Sequence, residues 1–158
     1  MVMRPLLLLD VDGVLNPYGL TRRPEGFTEH HLFPEDDEPV LVNPVHGIWI
    51  TELAGAYDVT WATAWNDDAN RLLAPLLGIG PLAVLTMPSV PFHPSDKVQL
   101  IARLAHNRPA AWIDDLHTLE ARTWADNRPE PTLLIPVTPS TGLTRRSVDQ
   151  ALTWATHF

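Results

Sequence analysis

Asp10 and Asp12 stand two residues apart at the end of the apolar run Leu6-Leu7-Leu8-Leu9, and Gly13 follows them directly. Alternate residues of a strand point to one side, so a strand carried through Val11 sends both carboxylates the same way. Like charges held that close are costly unless a cation or a shared proton offsets them. An apolar run of this length, bounded by a turn signal, predicts a strand buried on both faces. The carboxyl end of such a strand is where open α/β sheets place their ligands. The chain commits a buried strand to presenting two acids, and that marks a site.

Three other places add to it. Val59-Thr60-Trp61-Ala62-Thr63 approaches a hydroxyl, with Ala64 beside it, and Ala111-Trp112-Ile113 runs into Asp114-Asp115. Lys97, the only lysine in the chain, opens a predicted helix. A cation in the first turn of a helix opposes the helix dipole, so it is a poor structural choice and a good phosphate contact. Parallel strands all run one way, which brings these residues to one sheet edge. Four acids, a hydroxyl and an ammonium there suit magnesium and phosphate. Magnesium needs only one or two carboxylates when phosphate oxygens complete its shell.

The elements that must position them follow from periodicity. Strands are expected at Leu6 to Val11, Asp58 to Thr63, Leu82 to Thr86, Ala110 to Asp114 and Leu133 to Val137. Amphipathic stretches of helical length lie between them. These are Pro44 to Ala56, Asn66 to Leu77 with Gly78 as C-cap, Ser95 to Ala105 with Ser95 as N-cap, Leu116 to Ala125, and Thr144 to Thr156. Strands alternating with helices predict an α/β fold of three layers, a Rossmann-like parallel sheet of about five strands with helices on both faces. Residues 1–158 are expected to form a single domain.

Residues 16–43 break the rhythm. They hold four prolines, two glycines, Arg22-Arg23 and an acidic run from Glu35 to Glu38, with Val40-Leu41-Val42 as a brief strand. Long loops are often functional lids. This one leaves the strand that carries Asp10 and Asp12, so it is expected to arch over the site as a flap and to be too short for an independent cap domain.

Bulk properties narrow the classes. The chain of 158 residues is 45% hydrophobic, within the globular norm, and has no cysteine, which excludes disulfides and thiolate metal sites. The 16 prolines are roughly double average usage and fall mostly between apolar segments, as stiff connections. The formal charge of -8 disfavours broad nonspecific binding to nucleic acid, which rests on Lys and Arg meeting phosphates. No stretch has the length of a membrane span or the pattern of a signal peptide, so a cytoplasmic protein is expected, with no obligate protein partner evident.

Taken in order, these residues resemble the haloacid dehalogenase-like (HAD) superfamily of phosphohydrolases. Asp10-Val11-Asp12-Gly13-Val14 matches its first motif, Thr63 the second, Lys97 the third and Asp114-Asp115 the fourth. The resemblance covers the whole chain. Thr63-Ala64-Trp65 with Ala69-Asn70, and Thr141-Gly142-Leu143-Thr144, also resemble a small bacterial branch associated with RNA-repair polypeptides.

The resemblance implies a mechanism. Asp10 forms an aspartyl-phosphate, and Asp12 protonates the leaving alkoxide and then activates water. Magnesium sits between Asp10, the Asp12 backbone carbonyl, Asp114 and a phosphate oxygen, with Asp115 a further ligand or an acceptor behind it. Thr63, Ala64 and Lys97 hold the phosphate. The acid at position 12 resembles the phosphatase and phosphomutase members, since dehalogenases lack it and P-type ATPases carry Lys-Thr-Gly after the nucleophile. A minimal cap implies an open site and a bulky substrate such as a polynucleotide phosphate end.

Other readings stand beside these. A hydrolase of small phosphate metabolites or nucleotides is the nearer one, with 16–43 folding down as a lid. A non-enzymatic phosphoacceptor of the response-regulator kind uses the same residue types in the reverse order, and a binding-only descendant would not need every catalytic position filled. Asn66-Asp67-Asp68 reads as an N-cap with an acidic first turn, Trp65 as packing beside the phosphate pocket, and His30-His31 as a solvated pair. Arg22-Arg23 reads as solvent-facing, and the tryptophans at 49, 61, 112 and 154 as core.

Overall fold

The computed structural model describes residues 4–158. The four leucines form β1 (Leu6–Leu9), with Leu7 and Leu9 buried in one core and Leu6 and Leu8 in another on the opposite face. That division is the two-residue period of a strand covered on both sides. Removing such a side chain from water is worth roughly 1.5–3 kcal/mol each.

The chain continues through β2 (Thr28–His30), β3 (Val40–Val42), α1 (Val45–Ala54) and β4 (Asp58–Trp61). A π-helical turn (Ala69–Leu73) runs into α2 (Ala74–Leu77), followed by β5 (Ala83–Val84), α3 (Asp96–Ala105) and β6 (Ala110–Asp114). Then come α4 (Leu119–Asn127), β7 (Thr132–Pro136) and α5 (Arg145–Ala155). Five strands form one parallel sheet in the order β5-β4-β1-β6-β7, with Leu9 aligned between Trp61 and Ile113. Ile50 and Leu53 of α1, Leu77 of α2, and Val148 and Ala151 of α5 cover one face. Val98, Ile101 and Ala105 of α3 and Ala121 of α4 cover the other. This is the expected α/β, Rossmann-like architecture.

The path sets the site. From β1 the chain moves outward through β4 and β5, then crosses over to β6 and β7 on the far side of β1. The crevice between the carboxyl ends of β1 and β6 is therefore the topological switch point, where such sheets bind ligands.

Several boundaries differ from expectation. β1 ends at Leu9, so Asp10 and Asp12 lie in the turn beyond it rather than on the strand. The strand expected at Leu82 to Thr86 pairs only over Ala83–Val84, at the sheet edge. The helix expected from Asn66 begins at Ala69, and Asn66 is no cap. Its backbone takes φ +49, and its side chain accepts from Met87 N–H at 2.7 Å and donates to Met87 C=O at 3.3 Å. Ser95 precedes α3 without capping it, because its hydroxyl donates to Glu120 Oε2 at 2.8 Å. The helix expected at Leu116 starts at Leu119, where the Thr118 side chain accepts from Ala121 N–H. Gly78 does close α2 in the left-handed conformation. Trp61 and Trp112 are core, whereas Trp49 and Trp154 pack against it half-buried.

Within residues 16–43, β2 and β3 pair antiparallel as a short hairpin of their own. His30 Nε2 meets Thr28 Oγ1 at 2.8 Å, and Arg22 and Arg23 are exposed.

Candidate active site

Asp10 is the first residue past β1. Its N–H donates to Ile113 C=O of β6 at 3.2 Å, which draws it to the switch point. Lys97, one residue into α3, reaches the same place from the other side of the sheet. Its Nζ lies 2.9 Å from Asp114 Oδ2, 3.4 Å from Asp10 Oδ1 and 3.0 Å from the Ala62 carbonyl. Asp10, Lys97 and Asp114 are only 7%, 8% and 2% exposed, so these charges meet almost out of water. Asp114 is held further by Trp112 Nε1–H at 3.1 Å on Oδ2 and Leu116 N–H at 3.1 Å on Oδ1.

Asp115 lies past the end of β6, and its carboxylate turns back toward the cluster. Gly13 makes room for it: at φ +80 a Cβ there would sit 2.6 Å from Asp115 Oδ2. Tyr18 donates its hydroxyl to the same oxygen at 2.6 Å.

Burial raises Asp10 well above the ordinary carboxylate value, and the Asp114 charge adds to it; Lys97 works the other way. Burial also opposes ionisation of Asp114, but Lys97 holds it below its ordinary value. Burial opposes the Lys97 charge too, yet Asp10 and Asp114 outweigh it and keep the ammonium protonated. Burial and the hydrogen bond with Asp114 push Asp115 up. The bond to Asp115 pushes Tyr18 up to about 12. Two acids thus share one cation with a third beside them, and the deficit falls on Asp10 and Asp115.

A hard divalent cation fits that deficit. One carboxylate oxygen from each of Asp10, Asp114 and Asp115 lies within 4.8 Å of the others, and all-oxygen donors suit magnesium. No other group of three or more such side chains among the described residues is arranged to hold an ion.

Asp12 stands apart from that cluster. It is exposed, and its two oxygens accept from Asn16 Nδ2–H at 3.0 Å and Trp65 Nε1–H at 3.1 Å. It still lines the same cavity of about 260 Å³ as Asp10, Tyr18, Ala64, Lys97 and Asp114. Thr63 is buried beyond β4, its Oγ1 accepting from Trp65 N–H at 3.2 Å, while Ala64 is exposed on the rim. On the other side of Asp12 and Ala64 opens a second cavity of about 310 Å³, lined by Phe33, Asp36, Glu38, Trp65 and Asp68.

The structure therefore brings Asp10, Asp12, Ala64, Lys97, Asp114 and Asp115 around one cavity, with Thr63 buried behind it. Sequence reasoning missed three polar neighbours. Asn16 and Tyr18 belong to the segment without periodicity, where no spacing signals a side-chain contact. Trp65 read as packing because an indole N–H gives no sign of its acceptor.

A parallel α/β sheet with paired acids after its first strand, a lysine from a crossover helix and an Asp pair at the end of a later strand defines a HAD-like domain. A family model described as the HAD domain in Swiss Army Knife RNA repair proteins matches residues 6–148, and the chain belongs to that family. Membership supports a HAD phosphohydrolase in general terms, in the RNA-repair branch, and HAD proteins generally use magnesium. No curated protein and no solved structure matches the chain. No helix among the described residues is long and apolar enough to cross a membrane.

Proposed function

We propose that the protein is a magnesium-dependent phosphomonoesterase that works through an aspartyl-phosphate on Asp10 and acts on phosphorylated polynucleotide ends. The observation that carries this is the crowding of one carboxylate oxygen each from Asp10, Asp114 and Asp115 within 4.8 Å, with the buried Lys97 ammonium on the first two and Asp12 on the wall of the same cavity.

This reading gives each group one part in the reaction. A carboxylate oxygen of Asp10 attacks phosphorus, and the bond from phosphorus to the leaving alkoxide breaks as Asp12 gives that oxygen a proton. Asp12, now ionised, takes a proton from water as the water oxygen attacks the aspartyl-phosphate. The phosphorus–Asp10 bond breaks and inorganic phosphate leaves. Lys97 and Ala64, which line the cavity, hold the phosphate oxygens and stabilise the charge that spreads over them, with Thr63 behind them tied to Trp65 N–H. Asp10, the Asp12 backbone carbonyl, Asp114 and Asp115 would hold magnesium. Bound there, it supplies the positive charge that lets a buried Asp10 stay ionised beside an anionic phosphate.

Residues 16–43 serve in this reading as a minimal cap that stands beside the site. Of these residues only Tyr18 lines the Asp10 cavity, whereas the hairpin connection lines the neighbouring one. An open site and the family's RNA-repair description favour a polynucleotide end. One observation favours a small phosphate ester or nucleotide instead: Asp36, Glu38 and Asp68 around the second cavity would repel a chain of further phosphates.

The test is phosphate release from an aryl phosphate, with and without magnesium, by wild type and Asp10→Asn. Magnesium-dependent release abolished by the substitution is expected. Release unaffected by Asp10→Asn would overturn the reading. Comparing 3′- and 5′-phosphorylated oligoribonucleotides with mononucleotides then separates the two substrate classes.

A further inference from the structure

Asp12 is an exposed side chain in a turn, yet neither of its oxygens is left to water alone. Asn16 Nδ2–H takes Oδ1 and Trp65 Nε1–H takes Oδ2, at 3.0 and 3.1 Å. The two donors come from different parts of the chain and grip one oxygen each, which fixes the carboxylate plane as well as its position. Both are neutral, so they orient Asp12 without locking it into an ion pair as a guanidinium would.

Each donor is itself immobilised. Asn16 N–H donates to Val11 C=O at 3.0 Å, and its C=O accepts from Gly13 N–H at 2.8 Å. Its side-chain Oδ1 accepts from Leu41 N–H of β3 at 2.9 Å, so the amide has one orientation that satisfies both ends. Trp65 is buried, its own N–H is tied to Thr63 Oγ1, and Phe33 meets its ring edge-on at a centroid distance of 4.9 Å. Leu41 belongs to the hairpin and Phe33 to its connection. The hairpin thus reaches Asp12 by two routes, through Asn16 and through Trp65.

We infer that Asn16 and Trp65 are positioning residues that aim the Asp12 carboxyl at the leaving oxygen, and that the 16–43 hairpin holds this aim. The inference rests on the phosphatase reading, in which Asp12 is the proton donor. An ester of a basic alcohol needs that proton as its bond to phosphorus breaks, whereas a dinitrophenolate leaves without one. The same Asp12 activates water in the second step for both esters.

That difference supplies the test. Trp65→Phe keeps the ring against Phe33 and removes the N–H; Asn16→Ser shortens the other donor. Steady-state constants are measured for wild type, both variants and Asp12→Asn on a primary alkyl phosphate and on 2,4-dinitrophenyl phosphate. Both variants are expected to lose about tenfold or more in kcat/KM on the alkyl ester, a part of the ~10²–10⁴ that a placed acid contributes. On the dinitrophenyl ester kcat/KM stays within about threefold, while kcat and KM fall together because water attack on the aspartyl-phosphate slows. Asp12→Asn shows the same pattern more strongly. Equal loss of kcat/KM on both esters, or no loss on either in a variant that melts with wild type, overturns the positioning role alone. Wild type that turns over neither ester overturns the phosphatase reading and this inference with it.

Discussion

Replacing Lys97 by methionine keeps the length of the side chain and removes the one cation between two buried acids. Its Nζ lies 2.9 Å from Asp114 and 3.4 Å from Asp10. At an effective dielectric of about 20 these separations correspond to gross attractions of about 6 and about 5 kcal/mol. Withdrawing an ammonium from water costs several kcal/mol against that, and removing one partner of a buried pair leaves a net loss of about 3–5 kcal/mol. The loss should depend on pH. Asp10 is already raised above its ordinary value by burial and by Asp114, and without Lys97 it rises further. A folded-state pKa above the unfolded one means that the native protein binds the extra proton. The penalty is therefore complete above the folded pKa and shrinks as pH falls toward the unfolded value. Urea unfolding of Lys97→Met without magnesium is expected to show a larger deficit at pH 8 than at pH 5. A deficit under about 1 kcal/mol at pH 8, the scale of a surface pair, would refute the buried triad, and so would a deficit that grows on acidification.

Two further outcomes test the scaffold around the site. A Cβ on Gly47 of α1 would collide with the Leu77 carbonyl oxygen, so Gly47→Ala must push α1 from the end of α2. It is expected to cost about 1–3 kcal/mol by thermal unfolding while leaving kcat of the folded fraction unchanged. His46 is buried with Nδ1 unpartnered, and burial pushes its pKa down to about 4 from 6.5. Its folded pKa lies below the unfolded one, so stability is unaffected above pH 6.5 and falls by about 3 kcal/mol toward pH 4. His46→Leu should flatten that part of the acid limb in chemical unfolding, and an unchanged slope would refute the assignment.

The sequence by itself determined the layered α/β sheet and marked Asp10, Asp114 and Asp115, which the fold draws together. Leu6 to Leu9, and Ala110 to Asp114, can be buried on both faces only inside a covered parallel sheet, and that arrangement carries the acids that follow them to one edge. Periodicity and turn chemistry act over a few residues, so these features are written locally. What only the tertiary structure decided are contacts between distant segments. Asn66 looked like a helix cap because its neighbours in sequence suit one, but Met87, twenty-one residues away, takes both ends of its amide. Trp65 looked like packing until Asp12 came within reach of its N–H. Tyr18 joins Asp115 across ninety-seven residues, and Asn16 links Asp12 to the hairpin. A hydrogen bond depends on where both partners end up in space, and no spacing along the chain records that.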